Sequence, residues 1–380
     1  MRLVHVADRL SDRGGAYAWM LGVLEALAAD HEQRLVVGAS DGTARASCEV
    51  VVRPGLDARS AMPVRLDDLV QGVDVVHLHN IVNPVVLEWA AARADALLTV
   101  QDHRFFCAFR GKWTASGSVC TRPLTRELCA ACFDDAAYFR EVHGLTERRL
   151  AAASRLPVTV LSRYMREELV RAGLPASRVC VVPPFVHGFG APCETQAALA
   201  ATGSGAREQP AADEPCVLFV GRLVEAKGVR DAIEAWRASG VPLPLVLAGT
   251  GPLRTELERA ATSAGGPRLE VRGWVGREAL AGLYRRARAL LFPPRWQEPF
   301  GIVGLEALSF GVPVVAWESG GGAEWHPGPG LVRWGDTPAL ARALREAVSR
   351  HITRPPRFDR DEAVGRLLLL YGRVAAGGRG

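Results

Sequence analysis

The chain has 380 residues, of which 48% are hydrophobic and 23% are charged, and its formal net charge is +5. This length favours two domains over a single core, and the modest charge argues against nucleic acid as a partner. A net charge of this size supports at most peripheral association of the protein with an anionic membrane surface. The start MRLVHVADRL has no signal-peptide pattern and no run is long enough to span a membrane, so we expect the cytoplasm, with peripheral contact at the inner membrane face as an alternative.

Short β-branched runs alternate with helical patterns along the first half of the chain. Buried strands that alternate with helices are typical of a parallel sheet covered by helices on both faces. We therefore predict an N-terminal α/β domain over 1–190. Its predicted strands are 3–6, 35–37, 50–52, 73–78, 96–100, 158–161 and 179–182, and its clearest helices are 16–29 and 163–172.

A second series of the same kind follows a polar, low-complexity stretch over 191–215, which we interpret as a linker or surface loop. The series predicts a second α/β domain over 216–355, followed by a C-terminal helix within 356–380 that is expected to cross back to the first domain. Predicted strands are 217–220, 245–248, 269–271, 289–292 and 312–315; predicted helices are 229–238, 253–264, 277–288, 302–310, 338–348 and 360–371.

The block EPFGIVGLE combines two glutamates with a predicted helix start. Proline and glycine break any upstream helix, so Glu298 is expected on a loop, whereas Glu306 falls inside the following helix. Carboxylates accept paired hydrogen bonds from the vicinal diols of sugars and ribose. Backbone N–H groups at the helix start, near Phe300, Gly301 and Ile302, suit a phosphate. The block therefore predicts a site for a sugar joined to a phosphate.

Three further loops follow predicted strands and offer groups for the same ligand. Among 46 basic residues only Lys112 and Lys227 are lysines, so the second, in VGRLVEAKG, is a candidate for a site where arginine cannot replace the ammonium. With Arg222 it suits a diphosphate. The other two loops are LAGTGPL, with Gly249 and Gly251, and VRGWVGREAL, with backbone groups at Trp274 and Val275; the Trp274 ring itself is expected to pack.

The order and spacing of these loops resemble glycosyltransferase family 4, the retaining, nucleotide-sugar-dependent enzymes with an E-x7-E motif, most closely over 219–325. The resemblance implies the α/β GT-B fold, two doubly wound Rossmann-like domains facing a central cleft. It implies that 1–190 is the acceptor-binding domain and that 216–355 is the nucleotide-sugar-binding domain. It also implies that Arg222 and Lys227 hold the donor diphosphate, that Glu298 binds sugar hydroxyls and that Glu306 binds ribose. The implied donor contacts are Gly14, Gly15, Gly221, Gly249, Gly251, Trp274, Val275, Phe300, Gly301, Ile302, Val303 and Glu306.

The segment TVQDHRFFC departs from that family, in which a histidine often precedes this aspartate. Either Gln101 replaces the histidine as a neutral hydrogen-bonding group, or the turn presents His103 instead. We favour Asp102 and His103 as catalytic residues. In HLHN, His77 and His79 share one face of a strand, where a packed role is at least as well supported as ligand contact.

An insertion at about 103–135 contains Cys107, Cys120, Cys129 and Cys132, spaced C-x12-C-x8-C-x2-C. Such a set suits a tetrahedral structural zinc, but four reduced, unrelated thiols are the other interpretation, and an iron–sulfur cluster is less favoured. Lys112 lies in the same insertion. There it belongs either to a basic loop that receives an anionic acceptor or to a solvated charged loop.

The combined hypothesis is a cytoplasmic, retaining, hexosyltransferase-type glycosyltransferase with a nucleoside diphosphate sugar as donor. Its acceptor would be a hydroxyl of a glycan, glycolipid or small metabolite. No catalytic cofactor is expected, because cationic side chains stabilise the leaving group and the D-x-D at 359–361 lies on a helical face. Alternatives are a nucleotide-sugar epimerase on the same fold and a non-catalytic nucleotide-sugar-binding protein. A dinucleotide dehydrogenase is disfavoured, since no G-x-G-x-x-G follows the first strand.

Overall fold

The computed structural model describes residues 1–187, 189, 214–262, 268–350 and 358–377. The chain divides into two compact units. The first unit comprises Met1–His187, Gln297–Phe300 and Phe358–Gly380, and the second comprises Gly188–Trp296 and Gly301–Arg357. Almost all of the stretch predicted as a linker, 191–215, lies outside the described residues.

The first unit contains a seven-stranded, wholly parallel sheet in the order β3-β2-β1-β4-β5-β6-β7. The strands are β1 Arg2–Leu10, β2 Glu32–Ser40, β3 Glu49–Val52, β4 Val75–His79, β5 Ala96–Val100, β6 Val158–Val160 and β7 Val179–Val181. Its helices are α1 Gly15–Leu27, α2 Pro84–Ala91, α3 Arg126–Ala130, α4 Ala136–Ala153, α5 Arg163–Arg171 and, from the C-terminal segment, the helix Arg360–Gly377.

Alternation along the strands supplies both faces of this sheet. Val76 and Leu78 of β4 join the main core with residues of α2, α4 and α5, because successive side chains point to opposite faces. The opposite face carries Leu35 and Val37 of β2, which pack with Met20 and Leu24 of α1. Each such side chain contributes about 1.5–3 kcal/mol when fully buried. Side-chain N-caps begin several helices, for example Ser162 at α5, whose hydroxyl accepts a hydrogen bond from the Met165 N–H.

The second unit contains a six-stranded parallel sheet in the order β10-β9-β8-β11-β12-β13. The strands are β8 Cys216–Val220, β9 Leu245–Ala248, β10 Leu269–Gly273, β11 Ala287–Phe292, β12 Val314–Trp317 and β13 Leu331–Val332. The helices are α6 Val229–Ser239, α7 Arg254–Thr262, α8 Arg277–Arg286, α9 Ile302–Ser309 and α10 Thr337–Ala347, so that Arg360–Gly377 of the first unit is α11.

All twelve predicted strands are present, although β12 begins two residues later than 312–315. The sequence did not predict β13, which has two residues, nor the helices α2, α3 and α4. The α/β class with two doubly wound parallel sheets is confirmed. Within the described ranges, no helix combines the length and the apolar character needed to cross a bilayer.

Candidate functional site

In the second unit the strand order reverses between β8 and β11. From β8 the chain builds outward through β9 and β10, and from β11 it builds in the other direction through β12 and β13. All strands are parallel, so the loops after β8 and β11 leave the same edge of the sheet on either side of this switch point. Ligands of open α/β sheets bind in the crevice at this position.

Two cations from the loop after β8 converge on one aromatic ring from the loop after β11. The Lys227 ammonium lies 4.3 Å from the centroid of the Trp296 ring, and the Arg222 guanidinium carbon lies 5.6 Å from the same centroid. Backbone bonds join the loops, because the N–H groups of Arg295 and Trp296 both donate to the Ala226 carbonyl. Arg222 is exposed, and no carboxylate in the described part of the chain pairs with it. The structure therefore brings together Arg222 and Lys227, the two side chains predicted to bind a diphosphate.

The predicted glycines hold the loops after β8 and β9 in backbone contact. Gly221 N–H donates to the Ala248 carbonyl, and Leu223 N–H donates to the Thr250 carbonyl. A Cβ on Gly249 would lie 1.8 Å from the Gly221 oxygen, and one on Gly251 would lie 2.4 Å from the Leu223 oxygen. Only glycine permits this approach, and it leaves the backbone of both loops at the same sheet edge.

The helix α9 begins without a side-chain cap. Its N-cap residue, Gly301, has a left-handed conformation with φ of 87°. Gly304 N–H donates to the Gly301 carbonyl, whereas the N–H groups of Ile302 and Val303 have no acceptor among the described residues. Unsatisfied N–H groups at the positive end of a helix favour an anion. The helix start expected from EPFGIVGLE is thus formed.

Glu306 lies inside α9 and is buried, with 4% of its surface exposed. The Tyr284 hydroxyl donates a 3.0 Å hydrogen bond to its Oε2, and Arg277 Nη1 lies 3.7 Å from Oε1. Burial raises the pKa of the Glu306 carboxyl to about 7, against the opposing effects of Arg277 and Tyr284. The side chain can therefore act as a neutral donor or as a charged acceptor near neutral pH.

The loop after β10 carries Trp274 and Val275. Trp274 is 38% exposed, and its ring lies beside Gly276, where a Cβ would meet it at 3.6 Å, so the ring packs in part. Val275 is half-buried. Gly249 N–H donates to the Gly273 carbonyl, which connects this loop to the one after β9. An exposed indole at the same sheet edge is available to a ligand.

Glu298 lies in the short segment Gln297–Phe300, which belongs to the first unit. Three groups of that unit hold the segment through its backbone: Gly111 accepts from the Gln297 N–H, the His103 ring bonds the Gln297 carbonyl, and the Ser162 hydroxyl donates to the Pro299 carbonyl. Phe300 packs edge-on against Phe358, with ring centroids 5.3 Å apart. Glu298 itself is 6% exposed, so its carboxylate lies on a fixed, buried backbone.

The turn after β5 distinguishes between the two interpretations of TVQDHRFFC, in which either Gln101 or His103 takes the place of the family's histidine. Asp102 caps the 3-10 helix His103–Phe105: its Oδ1 accepts from the Arg104 N–H and its Oδ2 lies 3.2 Å from the Arg104 guanidinium. His103 is buried against the Gln297 carbonyl. Gln101 is 7% exposed, and neither atom of its carboxamide has a hydrogen-bond partner among the described residues. Asp102 therefore caps a local turn and His103 holds the distant Gln297 carbonyl, whereas the polar atoms of Gln101 have no partner among the described residues.

Gly14 and Gly15 lie at the start of α1, in the loop after β1. Gly14 is exposed, and it precedes α1 without a side-chain cap. Asp8, near the end of β1, accepts a 3.1 Å hydrogen bond from the Tyr17 hydroxyl, and burial raises the pKa of its carboxyl to about 6. The open glycine loop expected from DRGGAY is present at the switch point of the first sheet, between β1 and β4.

Three histidines form a buried group in the first unit. The nitrogen ligand atoms of His5, His77 and His79 lie within 4.8 Å of one another. His77 bonds the Tyr371 hydroxyl at 2.7 Å and the Thr99 hydroxyl at 2.6 Å, and His5 bonds His79 at 2.9 Å. Because both nitrogens of His77 are engaged, the structure supports the packed role for His77. His79 bonds His5 through Nε2, and its Nδ1 has no hydrogen-bond partner among the described residues. Burial lowers the pKa of all three rings.

Neither role considered for Lys112 agrees with the structure. The residue is 3% exposed, and its ammonium lies 2.9 Å from a Glu168 carboxylate oxygen and 2.7 Å from the Arg122 carbonyl. Lys112 is therefore a buried structural cation, neither a solvated charge nor a contact for an anionic acceptor. Its neighbours Cys107, Cys120, Cys129 and Cys132 all line one cavity of about 30 Å³.

Sequence reasoning missed several residues of these sites. Trp296 stands two positions before Glu298, in RWQEPFG, and an aromatic residue beside a predicted diphosphate loop was the available signal. Arg277 lies in the quoted motif VGREAL, but its approach to Glu306 requires the packing of α8 on α9. Tyr284, also on α8, carried no local signal at all.

Comparisons with known proteins agree with this geometry. Residues 205–326 match the family model described as Glycosyl transferases group 1. Over 194 residues the chain is 32% identical to an alpha-D-kanosaminyltransferase of Streptomyces kanamyceticus, covering 50% of this chain and 47% of that protein. The chain thus spans less than half the length of curated relatives of this kind.

Solved structures resemble the chain over nearly its full length. The crystal structure of HepE from Anabaena, in complex with UDP and glucose, aligns with a TM-score of 0.65 and 16% identity over 97% of this chain and 99% of that one. WaaG, a glycosyltransferase involved in lipopolysaccharide biosynthesis, aligns with a TM-score of 0.62 and 14% identity over 99% and 95% of the two chains. The chain therefore has the predicted GT-B fold of these proteins.

Proposed function

We propose that this protein is a retaining glycosyltransferase that moves a sugar from a nucleoside diphosphate to an acceptor hydroxyl. The observation that carries the proposal is that the Arg222 and Lys227 side chains both lie over the Trp296 ring, at the switch point of the second sheet. A planar fork and a compact ammonium on one ring suit the two phosphates of a diphosphate. The match to group 1 glycosyl transferases and the UDP bound by HepE support the same ligand class.

The proposed reaction exchanges one bond at the anomeric carbon. The bond from that carbon to the β-phosphate oxygen breaks, a bond from the acceptor oxygen forms on the same face, and the departing diphosphate takes the acceptor proton. Negative charge grows on the phosphate as it leaves. Arg222 and Lys227 are positioned before the reaction, so they stabilise that charge without reorganising, which is the usual source of the largest catalytic effect.

The second unit offers further groups for the nucleotide. The N–H groups of Ile302 and Val303 suit a phosphate oxygen, and Glu306 suits the ribose hydroxyls once its carboxyl is ionised. The backbone around Gly249 and Gly251 and the exposed Trp274 lie at the same sheet edge. The proposal assigns these groups to donor binding.

In the first unit, Gln101 and Glu298 are proposed to bind hydroxyls of the transferred sugar. Both are buried, and the carboxamide of Gln101 has no partner among the described residues. Asp102 and His103 would then position this region rather than touch the substrate, because one caps a turn and the other holds the Gln297 carbonyl. The acceptor class proposed from the sequence, a hydroxyl of a glycan, glycolipid or small metabolite at a cytoplasmic location, is retained.

The proposed chemistry needs no catalytic metal, because the two cations supply the charge that a metal would. The D-x-D at 359–361 has a structural use: Asp359 Oδ1 accepts hydrogen bonds from the N–H groups of Asp361 and Glu362 at the start of α11. This capping accounts for the spacing without a metal ligand.

The test is donor turnover by charge variants. Wild-type protein is incubated with a panel of UDP-, GDP- and ADP-sugars, and released nucleoside diphosphate and transferred sugar are measured by chromatography. For a donor that the wild type uses, we expect Lys227→Ala or Arg222→Ala to lower kcat about 10²–10³-fold. Lys227→Arg should lower kcat at least ~10-fold, since a guanidinium cannot reproduce a compact ammonium.

The matched control is Arg237→Ala, which removes an exposed positive charge from α6 of the same unit. It should leave kcat within about twofold, as surface substitutions usually do. Equal losses in Arg237→Ala and Lys227→Ala would contradict the assigned site. An epimerised donor with its diphosphate bond intact would instead establish the epimerase alternative, and tight nucleotide binding without any turnover would establish the non-catalytic one.

A further inference from the structure

The segment 107–133, here called the cysteine lobe, has little to hold it together. Its regular structure consists of a single bridge between Trp113 and Val119 and the five-residue helix α3, which has no buried residue. Most of its side chains are exposed or only half-buried. A segment that buries so little apolar surface requires a cross-link to adopt one structure.

The four cysteines of the lobe are held in two pairs, one by hydrogen bonds of the Lys112 backbone and the other by the turn at the end of α3. The Lys112 N–H donates to Cys107 Sγ at 3.4 Å, and the Lys112 carbonyl accepts from the Cys120 N–H at 2.8 Å, so one residue joins the first pair. The second pair, Cys129 and Cys132, lies at the end of α3, where the Cys132 N–H donates to the Cys129 carbonyl at 3.0 Å. Backbone N–H groups directed at sulfur are typical of thiolates that bind a metal.

Both pairs face the same cavity of about 30 Å³, which Phe109 and Trp113 also line. A cavity of this size has room for a single small ion. All four cysteines are free thiols. Four sulfurs around one small cavity form the donor set that a tetrahedral zinc prefers.

We propose that Cys107, Cys120, Cys129 and Cys132 bind one Zn²⁺ ion that folds the cysteine lobe. Binding replaces the four thiol protons, which pass to solvent, and involves no electron transfer. No three of these sulfurs reach the mutual 4.8 Å found for the nitrogens of His5, His77 and His79, so the ion would draw the two pairs inward. Coupling of metal binding to local folding is the expected behaviour of such a site.

The site also has a consequence for the segment that carries Glu298. The Gly111 carbonyl, inside the cysteine lobe, accepts the Gln297 N–H at 2.9 Å. Lys112, next in the chain, is fixed by Glu168 of α5. A lobe ordered by zinc would therefore hold Gln297 in place, whereas a disordered lobe would release it. The metal proposal itself does not depend on the proposed transferase activity.

The experiment measures metal content in the full-length protein, purified in a reducing buffer without chelator. We expect about one zinc per chain by mass spectrometry of the elements, and less than about 0.2 in the double variant Cys129→Ser/Cys132→Ser. The matched control is Cys48→Ser/Cys180→Ser, which changes two half-buried thiols elsewhere in the first unit and should keep the full zinc content. Zinc loss in both double variants would contradict the assignment of ligands.

A second measurement covers a variant that fails to fold. Hydrogen exchange of the wild type, with and without a zinc chelator, should show faster exchange over 107–133 and at the Gln297 amide after chelation, with no change in the second sheet. Absence of zinc from wild-type protein supplied with Zn²⁺, iron in its place, or a disulfide between any two of the four cysteines under reducing conditions would each overturn the proposal.

Discussion

Gln101 combines two properties that rarely persist together in a protein interior. It is buried, and neither its oxygen nor its nitrogen bonds to another described residue. An unsatisfied buried amide costs about 1–3 kcal/mol, so the free protein is less stable than it would be with an apolar side chain of similar shape. A ligand hydroxyl that bonds the carboxamide would recover this free energy on binding. This asymmetry between the free and bound states makes the role of Gln101 testable.

We predict that Gln101→Met leaves the free energy of unfolding unchanged or raises it by about 1 kcal/mol, while lowering kcat/KM about 10–100-fold. Thermal denaturation and donor kinetics on the same preparation give both quantities. Gln33→Met is the matched control, because the Gln33 amide donates a 2.9 Å hydrogen bond to the Leu24 carbonyl. The control should lose stability and retain its kcat/KM. A destabilised but fully active Gln101→Met protein would show that Gln101 has only a structural role.

Single residues also show where sequence reasoning reaches its limit. Arg222 and Lys227 could be predicted because a strand, a loop and a rare lysine lie within one short motif. Trp296 could not be paired with them, because its contact depends on β8 and β11 being neighbours. For the same reason Lys112 suggested a loop charge, although Glu168, far along the chain, neutralises it in the interior.

At the scale of elements, the loops after β8 and β9 behave as one backbone-bonded layer. Gly249 lies where a Cβ would meet the Gly221 oxygen at 1.8 Å. No change of rotamer can relieve this distance, because the backbone fixes the position of a Cβ and the oxygen is itself a backbone atom. The layer carries the loop that presents Arg222 and Lys227. A change that separates the two loops would therefore affect both stability and diphosphate binding.

Accordingly, Gly249→Ala should lower the free energy of unfolding by about 2–4 kcal/mol and weaken nucleotide binding. The control is Gly282→Ala in α8, where nothing lies within 4 Å of the added Cβ. There the substitution should stabilise the protein by up to about 1 kcal/mol, because alanine is the better helix former. Denaturant unfolding followed by circular dichroism measures both. If the two variants are equally stable, the inferred close contact between the loops after β8 and β9 is wrong.

Most elements followed from local patterns, because a buried parallel strand is a short β-branched run and needs no distant information. Strand β13, with two residues, is too short for any pattern. The start of α2 has an Asn–Pro signal, since Asn83 caps it and Pro84 begins it, but the preceding HLHN motif drew attention to ligand contact instead. The inclusion of Gln297–Phe300 in the first unit depends on bonds from Gly111, His103 and Ser162, which no local pattern contains.

At the scale of the whole molecule, the two units bury titratable groups with opposite effects on stability. In the first unit, burial lowers the pKa of His5 to about 4 and places those of His77 and His79 well below the usual value. Below pH 6.5 these histidines are protonated in the unfolded chain but stay neutral in the folded unit. The stability of the first unit therefore falls as pH falls. Asp8 opposes this trend, since its raised pKa of about 6 favours the folded state on acidification, but it is one group against three.

In the second unit the direction reverses at Glu306, and His326 opposes it because burial lowers the pKa of that ring. Burial raises the pKa of Glu306 to about 7, so between pH 4.5 and 7 the folded unit binds a proton that the unfolded chain has released. Its contribution to stability is present at low pH and is lost as pH rises through 7. The predicted shift corresponds to roughly 2–3 kcal/mol between pH 5 and pH 8, and His5 alone accounts for about 2 kcal/mol in the first unit between pH 7 and pH 5.

We therefore predict that acidification separates the unfolding of the two units. From pH 7 to pH 5 the first unit should lose about 4–8 °C in Tm, and from pH 8 to pH 5 the second should gain a similar amount. Calorimetry resolves the transitions, and hydrogen exchange of β4 and β11 assigns each to its unit. Glu306→Gln should abolish the gain in the second unit and leave the first unit unchanged. If both units lose stability on acidification in the wild type, Glu306 is already ionised at pH 5, and the buried carboxyl is not the source of the opposing pH dependence.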